Sequence, residues 1–322
     1  LERNLKSPDQ KEDKMGFIDE LKRTKNNTIN SIKYIRTVNG AASKELSALL
    51  LCHALEKGMG IQNVKKGYGK EKTENLISIL LKMAEDKKTD NYTFKECLAI
   101  LKAYFDYQES TGVDVSELKA KAEPLLSGYS TEYNGGYKII EKDELMTGTK
   151  IDFEHFVMSR HSMRTYSDEP VSKEEFLKAV SLAKRAPSAC NREPWKVYYS
   201  LDKKKCRQIA SAVPPQSFLD GIPYFCVVTT DKSLFKAGEI NQWFVNGGIF
   251  LGYLGMALHS CGIGSCIFQF PIFSDTASKL RSDMAIPKNE EIIAVMGYGK
   301  FAEKAKCICA DRRPDEDIAI CR

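Results

Sequence analysis

From Gln242 to Ser274 the chain carries no Asp, Glu, Lys or Arg. A run of that length without a charge has to be covered, either by lipid or by other protein. Lipid is the poorer fit, because Asn246, His259, Gln269, Pro271 and six glycines interrupt the run, and no second run of its kind accompanies it. The pattern predicts a long helix over 241–261, buried in an interior or a subunit interface, and no membrane span. The rest of the chain, 43% hydrophobic and 28% charged overall, has the composition of a globular protein with a substantial core.

Upstream, the first 14 residues are charged and poor in apolar groups, as in a frayed tail. They lack the apolar stretch of a signal peptide, so a cytoplasmic location is expected. From Phe17 to about Leu126 the periodicity is helical. Ile29, Ile32, Lys33, Ile35 and Arg36 begin an amphipathic segment. Ser43 is placed to cap a helix over Lys44–Lys57, with Gly58 as its stop. Further helices are expected over 71–86, 93–109 and 116–125. Residues 127–150, with Gly128, Gly135, Gly136 and Gly148 among polar neighbours, are a linker or a surface-hugging connection. The organisation that follows is an all-helical region over 1–126, a linker over 127–150 and a second domain over 151–322.

In that second domain strands alternate with helices. Asp152 caps a short helix whose Phe153, Phe156 and Val157 form an inner face, delivering Arg160 at its end. Ser172 and Glu175 make a capping box for a helix over 173–185, with Phe176, Leu177, Val180 and Ala183 at helical spacing. Strands are expected over 195–200, 224–230, 264–268 and 292–297, and helices over 203–213 and 274–284. Helices covering a central sheet make an α/β or α+β fold.

Two segments in this domain carry chemistry. Arg160-His161-Ser162-Met163-Arg164 sets two fixed cations around a hydroxyl, a compact anion site. Pro187-Ser188-Ala189-Cys190-Asn191-Arg192-Glu193-Pro194-Trp195 is a rigid turn whose Ser and Asn offer uncharged polar groups suited to the edge of a planar heterocycle. A net charge of +5 is too small and scattered for nucleic acid and suits an anionic phosphate ligand better. The ten cysteines contain no C-x-x-C pair, so zinc and cluster sites lack their spacing. They are expected to be small buried hydrophobes in a reducing compartment, with Cys307-x-Cys309 alternating along a strand. In the helical region, His53 and Glu56 stand three apart on one helix. With no neighbouring histidine, they are expected to be the polar face of a helix end rather than metal ligands or an acid/base pair.

Taken in order, these features resemble the FMN-dependent nitroreductase family over about 153–322. Arg160-His-Ser162-Met-Arg164 with Tyr166 matches its opening R-x-S-x-R-x-aromatic pattern, and Pro187–Trp195 its P-S-x-x-N-x-Q-P-W motif. Leu258–Cys266, Ile286-Pro287 with 292–299, and Arg312-Arg313-Pro314 follow in place. The resemblance implies an α+β fold, a central sheet flanked by helices in an intertwined homodimer, with the all-α N-terminal region appended. It implies that Arg160, Ser162, Arg312 and Arg313 bind the FMN phosphate, with His161 also among the cofactor-binding residues. Arg164 would lie near the pyrimidine edge, Asn191 at the polar edge of the ring, and Pro187 and Ser188 along its wall. Ser265, Gln269 and Phe270 complete the set, with the 269–270 backbone near N5. Glu193 stands where the family has Gln.

The same resemblance implies an FMN-dependent oxidoreductase with a ping-pong cycle. Hydride passes from NAD(P)H through flavin N5 to a small electron-poor acceptor such as a nitroaromatic or quinone. No catalytic side chain and no metal are required. FMN would lie between subunits, with Gly248, Gly252, Gly255 and Ala257 admitting a close helix approach and Phe250 and Leu254 filling the remaining space. The alternatives are another flavin reaction on the same fold (dehydrogenation, dehalogenation or flavin breakdown) or a non-catalytic FMN- or partner-binding protein. The helical extension, similar to one on some nitroreductase-like proteins associated with surface-polysaccharide gene clusters, would cap the site, narrow the acceptor pocket or dock a partner.

Overall fold

The computed structural model describes residues 44–61, 64–139, 141, 143, 151–236, 238–268, 275–305, 307, 312 and 314–322, with Lys25 and Ile29 as isolated positions. Four helices come first: α1 (Lys44–Met59), α2 (Lys70–Glu85), α3 (Tyr92–Ser110) and α4 (Ser116–Gly128). They enclose a core of their own, in which Leu55, Leu76, Leu80, Leu98, Leu101 and Phe105 are almost wholly buried. Gly58 does not stop α1, which continues to Met59. Its role is spatial: a Cβ there would lie 2.0 Å from the Tyr68 ring. That ring is fixed by a hydrogen bond from its hydroxyl to the Leu55 carbonyl at 2.7 Å. After α4 the chain stays on the surface of this bundle, with the Thr131 hydroxyl donating to the Lys95 carbonyl at 3.0 Å.

The second half is α5 (Phe153–Ser159), α6 (Lys173–Ala183), β1 (Trp195–Tyr199), α7 (Lys203–Ala210), β2 (Tyr224–Asp231), α8 (Gln242–Ser260), β3 (Ile263–Phe268), α9 (Asp275–Asp283) and β4 (Glu290–Lys300). The strands form one antiparallel sheet in the order β1-β2-β4-β3. The two inner strands are covered on both faces, and their side chains alternate between two cores. Cys226, Val228, Met296 and Tyr298 pack with Phe176 of α6 and Phe250, Leu254 and Leu258 of α8. Phe225, Val227, Ile292 and Val295 pack with Ile209 of α7 and Ala277 and Leu280 of α9. The fold is therefore α+β, a sheet between two helical layers with a helical bundle in front of it in sequence.

Helix ends follow local chemistry. Asp152 accepts from the His155 amide at 2.9 Å, and Ser172 and Glu175 form the reciprocal capping box. Glu175 also pairs with Lys300; that hydrogen bond, with the one from the Ser172 amide, lowers its pKa to about 2.

Several expectations about faces are corrected. The inner face of α5 is not covered within the protomer: Phe153 and Val157 are exposed and no residue of that helix is buried. Leu177 is exposed on α6. Phe250 and Leu254 fill the protomer's own core rather than an outer interface. What α8 leaves in the open is Val245, Ile249 and Tyr253, with Gly248 and Gly252 beside them. Most of the 17–43 segment, Ser43, Gly148 and Cys309 lie outside the described residues, as does Arg36; the isolated Ile29 is helical and exposed. Among the described residues, no helix is long and apolar enough to cross a membrane.

Replacing the fully buried ring in Phe176→Ala is expected to cost about 3–5 kcal/mol, whereas the exposed Leu177→Ala should change stability by about 0.5 kcal/mol or less. Both tryptophans, Trp195 and Trp243, lie in the sheet half, so guanidinium unfolding followed by their fluorescence measures this difference.

Candidate functional site

The Arg160–Arg164 segment leaves α5 in extended conformation and runs beside β3. Ser162 and Ser265 form a parallel bridge, and the Met163 amide donates to the Ser265 carbonyl at 2.9 Å. The approach is close because residue 264 is glycine: a Cβ there would lie 2.7 Å from Met163 Cγ. This pairing buries Met163 and turns the neighbouring Ser162 outward. Arg164 donates to the Ser162 carbonyl at 3.2 Å and lies 5.5 Å from the centre of the Phe218 ring. Among the described residues no carboxylate pairs with Arg160 or Arg164. His259, at the end of α8, hydrogen-bonds the Ser159 hydroxyl at 2.9 Å. Its burial, and then the charges of Arg160 and His161, push its pKa below the usual value. Arg160 and Arg164, with no carboxylate partner among the described residues, make this end of the site electropositive, and the lowered pKa of His259 reflects that field after burial.

The second segment is a tight turn around a 3₁₀ helix, Ala189–Asn191. Cys190, Asn191 and Glu193 have φ of 52°, 50° and 45°, a region that costs non-glycine residues about 1–3 kcal/mol each. Such a backbone persists only when its surroundings over-determine it. Asn246 of α8 accepts from the Ala189 amide at 2.8 Å, and the Ser188 hydroxyl accepts from the Glu193 amide at 3.0 Å. Arg192 is 2% exposed and donates to the carbonyls of Ala189 and Leu234 and, through both terminal nitrogens, to Glu239 at 2.8 and 2.9 Å. Its guanidinium also lies 4.9 Å from the centre of the Phe235 ring. Burial acts to raise the Glu239 pKa, but the hydrogen bonds from Arg192 and the Lys236 amide outweigh it and lower the net value. Arg192, between two residues of the sequence motif, is thus the anchor of the turn. Pro187 and Asn191 remain exposed on it.

The two segments meet opposite ends of one helix. Asn246 holds the turn, and His259 contacts the end of α5. Thirteen residues of helix separate them, or about 20 Å at 1.5 Å per residue. Arg160, His161, Ser162, Arg164 and Ser265 are therefore brought together, while Pro187, Ser188 and Asn191 form a second group. Arg312 is exposed, and among the described residues no hydrogen bond or ion pair joins it to either group. Gln269, Phe270 and Arg313 lie outside the described residues. No group of three His, Cys, Asp or Glu suited to a metal occurs among the described residues.

The helical region reaches the turn. Leu49, Cys52, His53 and Glu56 of α1, with Tyr92, Glu96 and Ile100 of α3, surround Cys190 and Asn191 around a cavity of about 10 Å³. His53 and Glu56 are thus not a solvated helix end. Glu56 accepts from the Gly136 amide at 3.3 Å, yet burial raises its pKa. Burial, then Glu56 and Glu193, pushes Glu96 up to about 7. Glu193, the residue in place of the family's Gln, is half-buried, and burial raises its pKa too. No signal in the sequence joins Glu96 to this group, because the contact lies between elements from separate halves of the chain. The departure at Glu193 is the one residue that marks it.

The sequence model of the Nitroreductase family matches residues 157–300. An NADH dehydrogenase from Thermus thermophilus is 24% identical over 204 residues, covering 53% of this chain and 97% of that protein. An NAD(P)H FMN reductase from Bacillus subtilis is 28% identical over 120 residues, 32% of this chain and 48% of the reductase. An iodotyrosine deiodinase from Thermotoga neapolitana is 24% identical over 159 residues, 40% of this chain and 82% of the deiodinase.

Breaking the buried pair with Glu239→Ala leaves Arg192 without its carboxylate and is expected to destabilise the sheet half by about 3–5 kcal/mol. The exposed pair between Lys70 and Glu117 provides the control, since Lys70→Ala should change stability by less than about 1 kcal/mol. Denaturant midpoints of the two variants measure the contrast.

Proposed function

We propose that the protein is an FMN-dependent NAD(P)H oxidoreductase acting as a homodimer with its cofactor between the subunits, a reading supported by the match of residues 157–300 to the Nitroreductase family. When bound, FMN supplies the redox chemistry, taking hydride from NAD(P)H at N5 and passing it to an electron-poor acceptor such as a nitroaromatic or quinone.

The observation that carries this reading is the division of the site along α8. A phosphate-binding group sits at one end of the helix and a ring-edge group about 20 Å away at the other. A second copy, packed antiparallel along the exposed stripe of Val245, Ile249 and Tyr253, brings the turn of one protomer to the cationic segment of its partner. Gly248 and Gly252, where a Cβ would meet nothing in the protomer, suit such an approach. The exposed Phe153 and Val157 of α5 are then covered in the dimer.

The residues present fit the cofactor. Arg160 with His161 and Ser162 holds the phosphate, with Arg312 and Arg313 as basic residues of the C-terminal tail. Arg164, steadied by Phe218, stabilises negative charge on the reduced ring. Pro187, Ser188 and Asn191 wall the ring, and Ser265 sets the depth of the phosphate end by holding Met163. The 269–270 backbone is assigned to the N5 side. This reading requires no side-chain nucleophile or general acid; the chain would bind, orient and tune the cofactor. In this reading, 1–126 is a helical region, 127–150 a connection and 151–322 the flavin domain. The free cysteines, with Cys52, Cys97, Cys206, Cys226 and Cys266 buried, suit a reducing, cytoplasmic setting. The deiodinase relative supports a second reading, in which the same cofactor runs a reductive dehalogenation.

Purified protein is expected to be yellow and to bleach anaerobically on addition of NADPH or NADH; loaded protein that neither nucleotide bleaches would favour the second reading. Arg160→Ala should weaken FMN binding about 10- to 100-fold, as for loss of a charged hydrogen bond. Ile249→Asp should give a monomer in analytical ultracentrifugation that no longer retains FMN. A folded, flavin-loaded monomer of the unaltered protein would overturn the shared site.

A further inference from the structure

The Ser188–Glu193 turn is held from two sides. On one, the sheet half supplies Asn246, Arg192 and Glu239. On the other, α1 and α3 close over Cys190 and Asn191, leaving a cavity of about 10 Å³, at or below the space one water needs. Three left-handed residues in the turn make it sensitive to whatever keeps that second side in place. The second side brings two carboxyls together: Glu96 of α3 and Glu56 of α1 line the same cavity as Cys190 and Asn191, with Tyr92 beside them and the Tyr133 ring packed edge-on against Tyr92. After burial, the charges of Glu56 and of Glu193 in the turn both act on Glu96. The surrounding positive groups are engaged elsewhere or lie at the margin. Arg192 is bound to Glu239, His53 senses Lys57 and Arg192, and Lys184 and Arg185 act only on Glu193. Among the described residues no cation pairs directly with Glu56, Glu96 or Glu193.

We propose that α1 and α3 are a proton-linked clamp on the cofactor turn: with Glu96 protonated they hold the turn in its left-handed form, and with Glu96 ionised between Glu56 and Glu193 they release it. Glu96 is then a positioning residue, acting on the cofactor through the turn. The direction follows from linkage. The carboxyl binds its proton more tightly in the closed clamp than in water, so closure is fully favoured below the ordinary carboxylate range. It loses that support as pH rises through about 7. The helical region thereby makes cofactor retention a function of pH. This consequence rests on the FMN reading of the turn; the clamp itself does not.

Hydrogen exchange by mass spectrometry on the full-length protein, with and without saturating FMN, tests it. In the FMN-free protein, protection of the 186–195 backbone, corrected for intrinsic exchange, should fall about tenfold between pH 5.5 and 8, less than the full shift because Glu96 is only partly buried. Glu96→Gln should keep the low-pH protection throughout, and Glu193→Gln should reduce the fall. The FMN dissociation constant should follow, rising more steeply with pH in the unaltered protein than in Glu96→Gln; ionisation of the cofactor phosphate is common to both. Identical pH profiles for the protein and both variants would overturn the clamp, as would protection that grows with pH. Absence of FMN binding at every pH, with the exchange pattern as expected, would support the clamp and overturn the cofactor reading instead.

Discussion

An uncharged helix nineteen residues long must be covered on every side, and the rest of the sheet half is arranged to do so. The sheet and α6 take one face of α8, where Phe250, Leu254 and Leu258 are buried. Its N-terminal end takes the strained turn through Asn246, and its C-terminal end takes α5 through His259. The outer face keeps Val245, Ile249 and Tyr253 in the open. One helix therefore sets the spacing of both groups of candidate site residues and leaves an apolar stripe exposed on its outer face.

Much of this is legible in the residues. Caps depend on chemistry within four positions, and Asp152 and the Ser172–Glu175 box appear where their side chains put them. The strands over 195–199, 224–231 and 263–268 coincide with apolar runs. The pairing of Ser162 with Ser265 is visible only in the fold, where Gly264 admits the Met163 side chain. Faces are harder. Phe153 and Phe250 are equally apolar, yet one is exposed and the other fills a core, because periodicity identifies an apolar stripe and not what meets it. Gly58 has the look of a helix stop, but is fixed by a ring ten residues away. Arg192 and Glu239 lie in unremarkable positions of the sequence and become partners only when the chain folds.

The helical region illustrates the same limit more strongly. Its own core is complete, so nothing in its periodicity requires a neighbour. Yet Leu49, His53 and Glu56 meet Cys190 and Asn191 of the strained turn, and the acid at position 193 acts on the acid at position 96. The cost of assembling like charges is evidence of contact that hydrophobic pattern does not carry.

The bridge between Ser162 and Ser265 also bears on the order in which the parts of the protein can fold. These residues are roughly a hundred positions apart, so their pairing belongs to the slow, non-local contacts of the fold. The four-helix bundle, built from neighbours in sequence and with a core of its own, is able to form before the sheet half has been synthesised. The Arg160–Arg164 segment is synthesised before β3 and has no strand to pair with until that strand arrives to hold Met163. A nascent chain consequently presents the helices beside the Ser188–Glu193 turn first and the paired Arg160–Arg164 segment last.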